Sequence, residues 1–245
     1  MNLLYSSGKM NRSGLHYAHP FGSMDYTYDE FHPSGTIYNI IEREKLLCGV
    51  FSDRDQSIDT DYCRSLAASL FDSDTTLVEF VHISEDDSLI EQVNSGKIDV
   101  IAGAPRHMGN ILKVNTTSNQ TALTASGFSF SKPYFYGENG PLTMATSSTL
   151  DADWSSFVYW VVEASVWAEE NGITSNEFRL VPEVECFGPR FEWMFKGSIL
   201  GRGNYAEIYT RNNDTLPPRN SPNLLNDGSS PQLFDFSQMN LIVME

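Results

Sequence analysis

Basic residues are scarce in this chain. Sixteen Lys and Arg stand against 32 Asp and Glu, a formal net charge of −16 over 245 residues. A phosphate backbone needs clustered Lys and Arg, so the deficit argues against a nucleic-acid partner and against docking on an anionic membrane surface. Long apolar runs are missing as well. The best stretch, Phe157 to Ala168, is only about two-thirds of a membrane span and contains Glu163. Cysteine is sparse: Cys48, Cys63 and Cys186 are too few and too spread for a disulfide framework or a zinc site. The signature motifs of enzymes are absent: no Gly-x-Ser-x-Gly elbow, no phosphate loop, no His-Glu-x-x-His and no dinucleotide fingerprint. No catalytic residue, metal or cofactor is therefore expected.

What is present is an alternation of periods. Lys45-Leu-Leu-Cys-Gly-Val-Phe51 is a short apolar run closed by Ser52 and Asp53. Asp59 to Phe71 has helical spacing, with Tyr62, Leu66, Ser69 and Leu70 on one face. Leu77 to Ile83 alternates like a strand, Glu85 to Gly96 reads as a second helix with acids at its start, and Asp99 to Ala104 is a third apolar strand. Strands separated by helices of this length form right-handed βαβ units, so the spacing predicts an α/β fold with a mainly parallel sheet. Residues 1–35, rich in Gly, Ser, Tyr and His, lack periodicity and read as an irregular leader. Met1-Asn-Leu-Leu-Tyr-Ser-Ser lacks the basic start, apolar stretch and cleavage site of a secretory signal. Phe128 to Tyr136 reads as an aromatic strand after the long polar loop 105–127, and a turn at Asn139-Gly140 returns the chain through Pro141 to Ala145. Asp151 or Asp153 caps a helix that ends at Asn171-Gly172, with Phe157, Val161, Ala164 and Ala168 facing the sheet. Shorter helices follow near Phe191 to Ile199 and Asn204 to Asn212, then a tail after Pro217-Pro218.

Several residue groups admit both a chemical and a structural reading. Cys48 lies on the first strand and Cys63 early in the next helix, so they form either a bridge in an oxidising compartment or two buried thiols. Asp59 and Asp61 resemble a carboxylate pair, but capping of the helix start accounts for both. His16, His19 and His32 read as surface histidines of the leader. The glycosylation triplets at Asn11, Asn115, Asn119 and Asn213 matter only in a eukaryotic secretory setting.

Six stretches, in order, resemble the amino-acid-binding proteins of ABC transporters, bacterial solute-binding family 3, in its general L-amino-acid-binding branch. They are Leu47-Cys-Gly-Val50, Asp59-Thr-Asp-Tyr-Cys-Arg-Ser-Leu-Ala67, Ser95-Gly-Lys-Ile-Asp-Val-Ile101, Phe130-Ser-Lys-Pro-Tyr134, the helix ending Ala168-Glu-Glu-Asn-Gly-Ile173, and Gly203-Asn-Tyr-Ala-Glu-Ile-Tyr-Thr-Arg-Asn212. The resemblance implies a periplasmic-binding-protein type II-like lobe over residues 36–228, followed by a tail, 229–245. It also implies an extracytoplasmic location and, as partners, a small-molecule amino acid and a membrane transporter or receptor. In that family two strands leave the first lobe, build a second, and return; here Gly137 to Gly140 joins them almost directly, so most of the second lobe is expected to be missing.

The same resemblance implies that the first lobe supplies an Arg for the ligand's carboxylate, with hydroxyl donors and an aromatic wall. The positions that match best are Phe51 and Asp53 at the end of the first strand and Arg106 after the third; Ile111 stands where the simplest correspondence puts the Arg. An Arg suits the role because its planar fork donates two parallel hydrogen bonds to a carboxylate. The expected function is a solute-binding protein of an uptake or sensing system, degenerate and binding weakly or not at all. The other reading is a single-lobe remnant that contacts a protein partner.

Overall fold

The computed structural model describes residues 35–52, 57–84, 88–105, 127–137, 140–148, 151–184, 187–219 and 223–224. The leader up to residue 34, Asp53, the acids 85–87, nearly all of the loop 105–127, Cys186 and the tail beyond 224 lie outside the described residues. The elements in chain order are α1 (Thr36–Arg43), β1 (Leu46–Phe51), α2 (Ser57–Leu70), β2 (Val78–Ile83), α3 (Leu89–Asn94), β3 (Val100–Pro105), β4 (Phe128–Phe130), β5 (Phe135–Gly137), β6 (Gly140–Ser147), α4 (Ala152–Glu170), α5 (Met194–Arg202) and α6 (Tyr205–Arg211). Turns of 3₁₀ helix at Ser175–Leu180 and Pro189–Phe191 link α4 to α5.

The six strands form one sheet in the order β2-β1-β3-β6-β4, with β5 beside the other end of β6. β1 runs parallel to both β2 and β3, as the βαβ spacing predicts. β6 is antiparallel to β3, β4 and β5, so it alone runs against the rest. Residue parity divides the core. Leu46, Cys48 and Val50 of β1 face the larger cluster with α1, α2, α4, α5 and α6; Phe51 faces a smaller one with Ile83, Leu89, Val93, Ile98 and Ile101. Strand side chains alternate, which is why neighbouring residues of one apolar run serve both clusters.

Three expectations are corrected. The hairpin is present, but Gly137 pairs with Gly140, so its two-residue connection is 138–139 rather than Asn139-Gly140. The strand expected over Phe128 to Tyr136 breaks at Ser131–Tyr134, because Pro133 cannot donate to the ladder. The helix expected over 85–96 is described only from Leu89 to Asn94, and Gly96 at φ +70 lies just past its end. The segment after Pro217-Pro218 is tied down: Arg219 makes a two-pronged ion pair with Glu169 at 2.7 and 2.8 Å, and the Asn223 amide bonds both the N–H and the C=O of Tyr136.

Asp61 does other work than capping. Asp61 is buried and accepts from Arg202, Arg211 and the Asn212 amide, with Arg64 at 3.8 Å. α2 lies close to α5 because Gly197 leaves room: a Cβ there would stand 2.7 Å from the carbonyl oxygen of Ala68. Tyr62 reaches Ser165 of α4 at 3.0 Å. Asp151, not Asp153, caps α4, accepting from the N–H groups of Asp153 and Trp154, and its other oxygen accepts from the Thr36 N–H at 2.6 Å. The α4 residues expected to face the sheet are buried, as are most of the others on this helix.

Cys48 and Cys63 are joined as a disulfide inside the larger cluster, the first of their two readings. Closing a loop of sequence separation 15 restricts the unfolded chain, worth about 3 kcal/mol on a chain-entropy account. Replacing both cysteines by alanine should lower the unfolding free energy in urea by about that amount. The unmodified chain, unfolded without reductant, should titrate one thiol, the three cysteines less the bonded two. Three titrating thiols would refute the bridge.

Candidate functional site

In open α/β sheets ligands sit beyond the carboxyl ends of the parallel strands. Here those ends are Phe51, Ile83 and Pro105. Of the residues expected to bind, Asp53 and Arg106 lie outside the described residues. Phe51 is described and is not at a site mouth: its ring is fully buried in the smaller cluster, because strand parity turns it toward α3. The next residue, Ser52, closes the strand end by donating its N–H to the Ile83 carbonyl at 3.1 Å.

At this edge a buried polar chain joins three elements. The Gly103 N–H donates to the Tyr134 hydroxyl oxygen at 2.6 Å, and that hydroxyl donates to Asp59 Oδ1 at 2.5 Å. Asp59 is 1% exposed and Tyr134 2%. Each member is placed by its local structure. Asp59 stands in the first turn of α2, where the helix dipole favours an anion. Tyr134 emerges from the break at Pro133 and lies over Tyr62, ring centroids 4.2 Å apart. Gly103 has φ +72 beside a register shift in the pairing of β3 with β6, and a Cβ there would run into the Asp59 carboxylate. Burial, and after it the Asp59 charge, holds the Tyr134 phenol well above its usual range, so it stays protonated and donates. The arrangement is a brace between the hairpin, α2 and β3.

A second buried acid meets the same break. Glu163 of α4 is 5% exposed and accepts from Lys132 at 2.6 Å. Burial pushes its carboxyl up, and the Lys132 charge opposes that shift. Among the described residues no group of three or more His, Cys, Asp or Glu could hold a metal ion.

The amino end of the sheet carries a cavity of about 400 Å³ between α1, the end of α3 and the start of α4, lined by Arg43, Asn94, Asp99, Ser147, Asp151 and Trp154 among others. Its acids are engaged by the protein itself. Asp99 accepts from Arg43 at 2.5 Å and from the Leu47 N–H at 2.7 Å, and the Trp154 indole donates to the Asp99 carbonyl at 2.8 Å. Burial pushes the Asp99 carboxyl up to about 6, against the lowering pull of the Leu47 N–H and of Arg43.

No protein-family model matches the chain, and no curated protein does. Among solved structures it is similar to an ABC transporter / periplasmic binding protein from Brucella ovis with glutathione bound. The TM-score is 0.55 at 15% sequence identity, over 79% of this chain and 94% of that one. The likeness is one of fold: this chain has a periplasmic-binding-protein-like α/β fold, its mainly parallel sheet flanked by helices. No described helix is long and apolar enough to cross a membrane.

Sequence reasoning missed the partners of Asp59, Asp61 and Glu163. For Glu163 a signal existed: an acid between Val162 and Ala164 in an apolar helix requires a buried cation or hydrogen bond. Two outcomes follow. Tyr134→Phe leaves the buried carboxylate and the Gly103 N–H short of a partner and should cost about 1–3 kcal/mol in urea unfolding; an unchanged midpoint would disprove the brace. A folded-state pKa raised above the unfolded value means that Asp99 contributes stability fully below about pH 4, lost as pH rises through about 6. Carboxyl NMR titration should find that raised midpoint, and Arg43→Gln should raise it further. A midpoint in the ordinary aspartate range would contradict the assignment.

Proposed function

We propose that this chain derives from the solute-binding proteins of ABC-transporter-type systems, specifically the amino-acid-binding family 3, and that it acts outside the cytoplasm with weak or no affinity for free amino acids on its own. The fold likeness to a periplasmic binding protein supports the general class. The disulfide accords with an oxidising compartment. The observation that carries the loss of affinity is the pairing of Gly137 with Gly140, which leaves two residues between β5 and β6 where the resembled family builds a whole second lobe.

The energetics follow from a one-sided site. A ligand held from one face leaves its carboxylate and ammonium in water, where each contact contributes about 1 kcal/mol or less. A few such contacts do not offset roughly 4 kcal/mol or more of lost translational and rotational freedom. Recognition that survives centres on Arg106 and Asp53, which in the sequence follow the carboxyl ends of β3 and β1. The neighbour's bound glutathione, a peptide with free carboxylates, makes it the natural second probe beside the amino acids.

Calorimetric titration with the common amino acids and glutathione tests this reading. Heat is expected to be absent or confined to millimolar ligand. Micromolar binding abolished by Arg106→Ala would show a working receptor and sink the claim of degeneracy.

A second reading has its own observation. One edge of the sheet, β2, has no strand beyond it among the described residues, which suits a lobe that contacts a protein partner rather than a solute.

A further inference from the structure

We infer that the cavity at the amino end of the sheet binds a small, neutral, polyhydroxyl molecule, a hexose or a cyclic polyol. It lies at the opposite end of the strands from Phe51 and Pro105, so the inference goes beyond the amino-acid reading and stands or falls independently of it.

Local structure gathers the lining. Thr36, Asn39 and Arg43 fall at i, i+3 and i+7 and share one face of α1. Across from them, Asn94 ends α3, and the chain turns at Gly96, φ +70, to bring Asp99 to the same space at the start of β3. The cavity holds about 400 Å³. At roughly 30 Å³ for each water that is room for about a dozen water-sized groups, the size of one hexose. Its rim is open, since Asn39 and Asn94 are both exposed.

The charges inside are already compensated. Only Arg43, Asp99 and Asp151 among the lining residues are charged, and Arg43 pairs with Asp99. Asp151 accepts from the Thr36 N–H at the start of α1 and from the Asp153 and Trp154 N–H groups at the start of α4. Two helix dipoles, each equivalent to roughly half a positive charge, thus stand against that one carboxylate. An ionic ligand finds no unbalanced charge to meet. What the lining does offer is unfilled hydrogen-bonding capacity of both kinds. Asp99, 5% exposed, receives Arg43 and the Leu47 N–H on Oδ2, while its Oδ1 accepts from none of the described residues. Arg43 commits Nε to the Lys45 carbonyl and Nη2 to Asp99, which leaves Nη1. Asn94 accepts the Ser147 hydroxyl on Oδ1 and keeps its amide nitrogen to donate. A cationic donor, a neutral donor and an anionic acceptor around one space suit groups that both donate and accept. Hydroxyls do so, and their bonds to Arg43 and Asp99 are charge-assisted. Several hydroxyls on one ring also replace several solvent molecules while immobilising a single ligand.

The test is an NMR titration of the folded full-length chain with glucose, galactose and myo-inositol, followed through backbone and side-chain amide signals. At least one should saturate at millimolar concentration or below and shift the Thr36, Leu47 and Gly96 amides together with the Asn94 side-chain amide. Asn94→Asp keeps the acceptor for Ser147 and removes the spare donor, so it should weaken binding about tenfold while the folded spectrum is retained. Arg43→Lys keeps the charge beside Asp99 but loses the planar fork, and should weaken binding similarly. Glucuronate and glucosamine should bind more weakly than glucose. Tighter binding of either would reveal uncompensated charge and overturn the proposal. So would binding indifferent to both substitutions, shifts confined to Phe51 and Gly103, or no shift with any of the three sugars and polyols. None of these outcomes bears on the affinity for amino acids, which the calorimetric titration measures by itself.

Discussion

Helix α2 is held on every side by a different kind of bond, and the fold depends on it. Four residues within five positions reach five separate parts of the fold: Asp59 the hairpin through Tyr134, Asp61 the ends of α5 and α6 through Arg202, Arg211 and Asn212, Tyr62 α4 through Ser165, and Cys63 β1 through Cys48. A helix buried all round cannot leave acids unpaired, since an uncompensated buried charge costs several kcal/mol. The polar residues of α2 therefore act as addresses, each satisfied only when its element stands in the native place. That is a constraint on uniqueness more than on gross stability.

The same need organises the rest of the chain. Basic residues are scarce, yet buried and half-buried acids draw them in: Asp61 is met by three arginines, Asp99 by Arg43, Glu163 by Lys132 and the half-buried Glu169 by Arg219. Arg219 also lies over the Tyr205 and Tyr209 rings, so one cation fixes the segment after the prolines to both α4 and α6. With so many cations committed to internal pairs, the exterior is left to the acids.

The βαβ half of the fold was legible in the sequence because its strands are continuous apolar runs and its helices carry clear caps or periods. β1, β2 and β3 stand within a residue of the expected spans, and α4 within a residue at each end. The hairpin was legible from its Gly and Asn, but its register was not, because Gly137 and Gly140 flank the turn almost symmetrically and either dipeptide fits a tight reversal. Asp61 was misread as a cap for a physical reason. From sequence alone, Asp59 and Asp61 stand at a helix start, where acids are ordinary. Their partners, Tyr134, Arg202 and Arg211, lie 75 to 150 residues away, beyond what local periodicity can relate. For the candidate site, Phe51 shows the limit most plainly. Placing it at the strand end was right, but only parity against β2 and β3 reveals that its ring turns inward.

On the proposed reading, the position of the brace accounts for a lobe that keeps its fold without holding a ligand. In a two-lobed clamp the edge that carries Gly103, Asp59 and Tyr134 would meet solvent or ligand from the other lobe. Here the hairpin folds back beside it, and Tyr134 donates to one oxygen of the helix-terminal carboxylate and accepts from the Gly103 N–H. Those are groups of the kind that recognise an ammonium and a carboxylate. Satisfying them internally removes the cost of burying them unpaired, and it removes in the same step their capacity to bind a small zwitterion. On the proposed reading, the stability of this edge and its weak affinity have one origin.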